Sequence, residues 1–410
     1  MKCPECGSPM AGDDCPYCGY GLITRKKNEG EDIGDNIRYV FALLMVVSFA
    51  AFLVFTTAVM VVSTGHVYDH TTVGEQWLYV VILIPIGIAR LSGLGLSVYY
   101  FLLVASVLIS LAYLLYRSAG FVADEDIGSM KSKELSSKIM DQPLTRLALM
   151  FSVMIFLSYL YFMLISLAGT TPSTPGELER APFGEIVFLM TRAAVWEEIM
   201  FRLLYFGVPM MIYGLMKNRA DSWKLLFGGF GVKEGPILSL TLFSAFIFSL
   251  AHMGGGWDIY KFPQVFIGGI IFGYLFAKDG LYSCIIFHFA WDYMYIVGQV
   301  STSASLMMGM LILVWMGVGV YFTYHYIKEG FRWLRGAKGE TKEYREEKPD
   351  LTLVLNAGFM CSQCRSYKAD YLPDGRLKCK TCGRETSSDS DDSLRKLKPV
   401  ESKRMWPPID

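Results

Sequence analysis

The chain has 410 residues, 53% of them hydrophobic and only 19% charged, with 38 basic side chains balanced by 38 acidic ones. That balance is too apolar for an ordinary soluble protein of this length and implies several membrane spans. A formal net charge of zero excludes the global basic field on which nucleic-acid binders rely, and the charges lie mostly toward the two ends.

The first stretch, "CPECGSPMAGDDCPYCGYG", spaces Cys3 from Cys6 and Cys15 from Cys18 by two residues each, with glycines after the knuckles. Four thiolates at this spacing suit tetrahedral zinc, and glycine admits the positive φ of a tight knuckle. Residues 1–24 are therefore read as a zinc ribbon and 25–36 as a linker. No cleavable signal peptide is read at the start, because residues 1–36 are polar and the apolar run 39–65 resembles a signal anchor.

Residues 37–143 read as an N-terminal membrane region and polar loop, and 144–328 as a membrane core that includes the last span. Apolar runs occupy 39–65, 77–116, 147–169, 183–215, 236–253, 262–277, 281–299 and 304–327, most of them near the roughly 20 residues needed to cross a bilayer. The run 77–116 is interrupted by Pro85, Gly87, Arg90 and a glycine-rich "LSGLGL", and is expected to cross once after a re-entrant or interfacial piece. The run 262–277 is short and glycine-rich, which suits a thinned or tightly packed crossing.

Lys and Arg cluster at 25–27, in 217–233 and beyond 328, marking those flanks as cytoplasmic, whereas 63–76 and 170–179 have none and read as outside. Eight crossings put both termini in the cytoplasm; two crossings within 77–116 would make nine and leave one ribbon outside. Eight is preferred because thiolate zinc sites favour the reduced side.

After a juxtamembrane linker, 329–356, with Trp333 as an interfacial anchor, residues 357–385 repeat the zinc pattern with Cys361, Cys364, Cys379 and Cys382. The segment between the two pairs reads as a hairpin turning at Pro373-Asp374-Gly375. The tail 386–410 is polar enough to be disordered. The fold class is thus an all-α polytopic membrane protein with about eight transmembrane helices and small zinc ribbons at both ends, located in the cell membrane. Membrane lipid is an obligate partner and the ribbons are candidate protein-binding modules. Nucleic acid is disfavoured, although the second ribbon carries Arg365, Lys368, Arg376, Lys378, Lys380 and Arg384.

The core carries costly polar residues. "AAVWEEIMFR" places Glu197, Glu198 and Arg202 in an apolar segment, where an ionised side chain at mid-membrane costs about 2.5–3.5 kcal/mol on insertion scales. Glu198 and Arg202 stand four apart on one helical face and can neutralise each other. Glu197 lies about 100° away and stays unpaired, the condition for a general base or acid in a dry site. "FSLAH" ends an apolar helix on His252, and "FHFAWD" sets His288 and Asp292 four apart.

Glu197-Glu198-x-x-x-Arg202, Phe248-x-x-x-His252 and His288-x-x-x-Asp292 together resemble the CPBP family of intramembrane proteases. That family holds the type II CAAX prenyl proteases, the Abi proteins and bacteriocin-processing relatives. The likeness covers roughly 145–300 and leaves the ribbons and first spans aside. It implies hydrolysis of a peptide bond in a membrane-associated or lipidated, CAAX-type substrate. By resemblance, Glu197 activates water, His252 holds and polarises that water, Glu198 with Arg202 fixes the helix, and His288 with residue 292 stabilises the oxyanion.

Position 292 is Asp where many relatives carry Asn, and an ionised Asp cannot donate to an oxyanion. Asp292 is then protonated, or orients His288, or ligates a divalent metal in the membrane site. The last option is a metal-dependent version of the protease, without an HExxH motif. Two other classes compete: a non-catalytic scaffold recruiting partners through its ribbons, and a proton-relaying transporter, for which no inverted repeat is evident. Elemental analysis of the purified full chain is expected to give two zinc ions per molecule, one per ribbon; a third would place a metal at the membrane set.

Overall fold

The computed structural model describes residues 22–81, 85–119, 138–173, 175–231, 236–339, 369–371, 377–379 and 385–386. It divides into a membrane unit up to Ile327 and a second unit from Lys328 to Asp410. The described part of the membrane unit is mostly helical, as expected.

Its elements run α1 (Leu22–Val62), α2 (Thr64–Val73), β1 (Glu75–Val81), β2 (Pro85–Ser92), α3 (Gly93–Ala119), α4 (Pro143–Leu167), α5 (Gly176–Arg180), α6 (Phe183–Glu198), a π-helical stretch (Ile199–Gly207), α7 (Val208–Met216), α8 (Ile237–Gly254), α9 (Phe262–Lys278), α10 (Leu281–Val300) and α11 (Thr302–Gly339). Residues 25–36 are helical and run directly into the first span. Seven helical segments of the described residues are long and apolar enough to cross a membrane: 37–62, 93–119, 143–167, 183–216, 237–254, 259–278 and 302–328. An integral multi-pass membrane protein follows from them. Helix α10 has 20 residues but is less apolar, since it carries His288 and Asp292 along one face. The expected count of eight depends on that helix.

The region 77–116 contains one crossing, α3, preceded by an antiparallel hairpin rather than by more helix. Alternation in "EQWLYVV" explains it: Trp77 and Tyr79 are 46% and 42% exposed, while Leu78 and Val80 turn toward the protein. The membrane unit is therefore not purely α. Two side chains of α6 tie β1 down: Trp196 Nε1 donates to the Tyr79 carbonyl (2.9 Å) and Arg192 to Gln76 Oε1 (2.9 Å).

Apolar contact alone does not drive helices together in lipid, so close packing and buried polar contacts must. Helices α1, α4, α10 and α11 meet at Phe151, whose ring lies 4.9 Å from Phe49, 5.4 Å from Trp315 and 5.6 Å from Phe287. The glycine-rich α9 is indeed the tightly packed crossing, because a Cβ on Gly269 would fall 2.8 Å from the Ala245 backbone of α8. With the 3-10 turn Ile259–Lys261 before it, this span reaches 20 residues.

The turn between α9 and α10 lies beneath a loop. Gly229 N–H donates to Phe276 O (2.9 Å) and Gly231 N–H to Ala277 O (2.8 Å). Gly280 turns the chain at φ 109°, and its missing Cβ leaves room for the Phe227 carbonyl. Asp279 is clamped there by Arg146 of α4, with Nε–Oδ2 at 2.8 Å and Nη2–Oδ1 at 3.1 Å.

In the second unit, β3 (Ala369–Tyr371), β4 (Leu377–Cys379) and β5 (Glu385–Thr386) form a small antiparallel sheet. Tyr371 pairs with Leu377, as a hairpin between the cysteine pairs requires. Cys379 lies in β4; the other seven expected zinc ligands, and the turn 373–375, lie outside the described residues.

Arg146→Met leaves Asp279 buried without its partner and is expected to cost about 3–5 kcal/mol. Replacing both with apolar residues recovers most of that loss, as read by thermal unfolding in detergent.

Candidate active site

Helix α6 delivers Glu197 and Glu198, and the π-helical turns that follow deliver Arg202. Such widened turns recur at functional sites because they re-aim side chains within a continuous helix. Glu198 and Arg202 are both fully buried, with Oε2 and Nε 3.2 Å apart. The expected ion pair is present.

Its surroundings are more elaborate than a pair. The Arg202 guanidinium lies between the rings of Phe248 and Phe272, 4.9 Å from each centroid. Its Nη1 donates to Ser244 Oγ (3.0 Å), which donates in turn to the Phe201 carbonyl (2.6 Å). Two ring faces and a hydroxyl thus stabilise a fully buried cation. The remaining oxygen of Glu198, Oε1, lies 2.7 Å from His288 Nδ1 on α10. A carboxylate only accepts, so Nδ1–H is the donor and His288 Nε2 faces the opposite way.

Nε2 of His288 is 3.5 Å from Asp292 Oδ2 and 3.9 Å from Glu197 Oε2. Glu197 Oε2 is buried and has no hydrogen-bond partner. On α8, His252 Nδ1 lies 3.0 Å from the Phe248 carbonyl, so that nitrogen carries the proton and Nε2 keeps its lone pair. The structure thus gathers all four residues that sequence reading grouped, from three helices.

By residue count alone, His252 and His288 should lie at different depths in their helices. In the structure α10 starts beneath the 228–231 loop, where Ser283 and Cys284 are fully buried. The two histidines nonetheless line one cavity.

That cavity has two lobes, of about 240 and 400 Å³, which share His252, His288, Asp292 and Trp257. The larger also takes Glu197, Arg192 and Trp196 from α6 and Trp77 and Tyr79 from β1. Lys261, Gln264 and Trp291 line the smaller. Sequence reading passed over these residues. Asp258 and Lys261 were the detectable signal, standing alone among charged residues between the apolar runs 236–253 and 262–277.

Asp258 ties two loops together, accepting from Ser173 N–H (2.5 Å), Ser173 Oγ (2.8 Å) and Tyr260 N–H (3.0 Å). The Ser173 backbone contact, foremost, holds this carboxyl below its ordinary range. As for a metal in the membrane set, no three His, Cys, Asp or Glu side chains converge as an ion would require among the described residues.

Residues 179–294 match the family model described as type II CAAX prenyl endopeptidase, Rce1-like. The matched stretch runs from the end of α5 into α10 and contains Glu197, Glu198, Arg202, His252, His288 and Asp292. It supports the resemblance to CPBP proteases and a hydrolase reading of the membrane core. No curated protein and no solved structure matched the chain.

The two glutamates differ in what their loss exposes. Glu198→Gln strands a fully buried Arg202 and should lower stability by about 3–5 kcal/mol. Glu197→Gln breaks no Oε2 hydrogen bond and should change stability by less than about 1 kcal/mol. Unfolding temperatures of the two variants in one detergent check the contrast.

Proposed function

We propose that the chain is an intramembrane endopeptidase in which Glu197 activates water for attack on a peptide carbonyl. The observation that carries this reading is the asymmetry between adjacent carboxylates. Glu198 is engaged by the Arg202 ion pair and by His288 Nδ1, whereas Glu197 makes no hydrogen bond at Oε2 and lines the cavity that also receives His252.

Glu197 takes a proton from water as the oxygen adds to the carbonyl carbon. His252 Nε2, with its lone pair aimed at the cavity, accepts the second hydrogen of that water and orients it. The negative charge developing on the carbonyl oxygen needs a donor. His288 supplies it when its imidazolium Nε2–H points into the cavity, because Glu198 anchors the opposite nitrogen. Asp292, an acceptor, serves as the positioning carboxylate that holds and charges His288, which accounts for an acidic residue at this position. The C–N bond then breaks as Glu197 returns its proton to the leaving nitrogen.

The substrate class that fits the family match is a membrane-associated or lipidated peptide of CAAX type. Zinc ribbons on the cytoplasmic side would act as accessory modules and carry no step of the reaction. No step is assigned to a metal.

Glu197→Gln keeps the volume and removes the base, so turnover should fall by about 10²–10⁴-fold. Terminal proteomics on membranes expressing wild type or Glu197→Gln at matched levels provides the test. An uncut precursor that accumulates only with Glu197→Gln supports the protease and identifies its substrate. Indistinguishable termini with folded, abundant wild type leave the scaffold as the better account.

A further inference from the structure

A two-stranded sheet leaves one edge of each strand unpaired, and in this fold one such edge borders the larger lobe. Strand β1 pairs only with β2, from Glu75 opposite Ser92 to Val81 opposite Pro85. Along an antiparallel strand, backbone groups point alternately toward the partner strand and away from it. The Tyr79 carbonyl accepts from Trp196 Nε1 of α6 at 2.9 Å, so Tyr79 is an outward position. By alternation Trp77 and Val81 are outward too. The register shift between Leu78 and Tyr79 places the extra residue, Ile88, on β2, which leaves the phase of β1 unbroken. Pro85 agrees with this phase: it has no N–H to donate, and it stands opposite an outward residue that needs none.

The outward groups are open. Among the described residues, Trp77 N–H, Trp77 C=O and Tyr79 N–H have no partner beyond the hairpin, and only the Tyr79 carbonyl is covered, by Trp196. The Trp77 ring lies back against β2, since a Cβ on Gly87 would fall 3.0 Å from it, so the indole does not cover the edge. Trp77, Leu78 and Tyr79 line the same lobe as Glu197. An unpaired strand edge is a template for another strand. A lipid tail could fill such a lobe but offers nothing to a main-chain donor and acceptor, whereas an extended peptide presents both on one side at every second residue.

We propose that β1 takes a stretch of the substrate as a third strand, with Trp77 N–H and C=O pairing one substrate residue and Trp196 closing the edge at Tyr79. The hairpin lies outside the matched residues 179–294, so this contact is an addition to the matched core. It holds the peptide by its main chain, which fixes the register of the peptide beside Glu197 with little demand on side chains. A third strand would also steady the hairpin, because two strands alone are marginal. The inference rests on the protease reading for its purpose, while pairing at the edge is measured apart from cleavage.

Binding to purified full-length Glu197→Gln in nanodiscs is measured with a fluorescent farnesylated CAAX peptide whose backbone amides are replaced by esters one at a time. An ester removes the N–H without adding bulk. One position should lose about fivefold in affinity, the scale of a single hydrogen bond, and its two neighbours should stay within about twofold. On the protein side, Trp77→Pro removes the outward donor and should bind the parent peptide about fivefold more weakly than Trp77→Ala, which lacks the indole but keeps the N–H. The ester scan leaves the hairpin unaltered, so its outcome does not depend on how well proline is accommodated. A flat scan, equal binding by Trp77→Pro and Trp77→Ala, or no binding of the parent peptide overturns the proposal. Turnover by the unmutated chain separates the two ideas. A position-selective ester effect without cleavage refutes the protease and leaves the strand edge standing; cleavage with a flat scan refutes the edge and leaves the protease standing.

Discussion

The polar interior depends on one neutralised charge, Arg202. Without it Glu198 would be a lone carboxylate in a dry helix bundle, and without Glu198 the Nδ1 of His288 would lose its anchor. A buried ion pair repays its desolvation only when further contacts satisfy the remaining groups. Here Phe248, Phe272 and Ser244 contact the cation and His288 takes one carboxylate oxygen, while Arg202 Nε and Nη2 and Glu198 Oε2 rely on the ion pair alone and make no hydrogen bond. The pair therefore works as an anchor for the histidine.

A second consequence concerns Glu197. Adjacent residues on a helix point about 100° apart, so only one of two neighbouring glutamates can face the Arg202 pocket. The other is left toward the cavity, near His288 Nε2 but without a hydrogen bond at Oε2. Segregation by helical phase thus yields two carboxylates with different surroundings from a single Glu-Glu dipeptide. The hairpin strengthens the division, because Arg192 and Trp196, which flank Glu197 on α6, are engaged by β1.

Much of this was legible in the chain. Apolar run length indicates membrane residence, and the i,i+4 spacings of Glu198 with Arg202 and of His288 with Asp292 are local helical properties. The hairpin was less visible: a hydropathy profile scores "EQWLYVV" much as it scores a helix edge, although its alternation and the following Pro85 and Gly87 are strand and turn signals. Lys261 and Gln264 carried only a faint mark, since a lysine at a span's end more often anchors it at the interface.

From sequence alone come the membrane class, the identity of the costly residues, and the partner for Arg202, because each follows from composition or from spacing within one helix. Tertiary structure decided the rest. Glu198 meets His288, 90 residues away, and His252 of α8 lines the same cavity as His288 of α10. The two-lobed cavity likewise arises from α6, α8, α9, α10 and β1 together. Helix offsets and cavity walls are set by packing between distant segments, such as Gly269 against Ala245 and Arg146 against Asp279, and no local pattern in the chain encodes them.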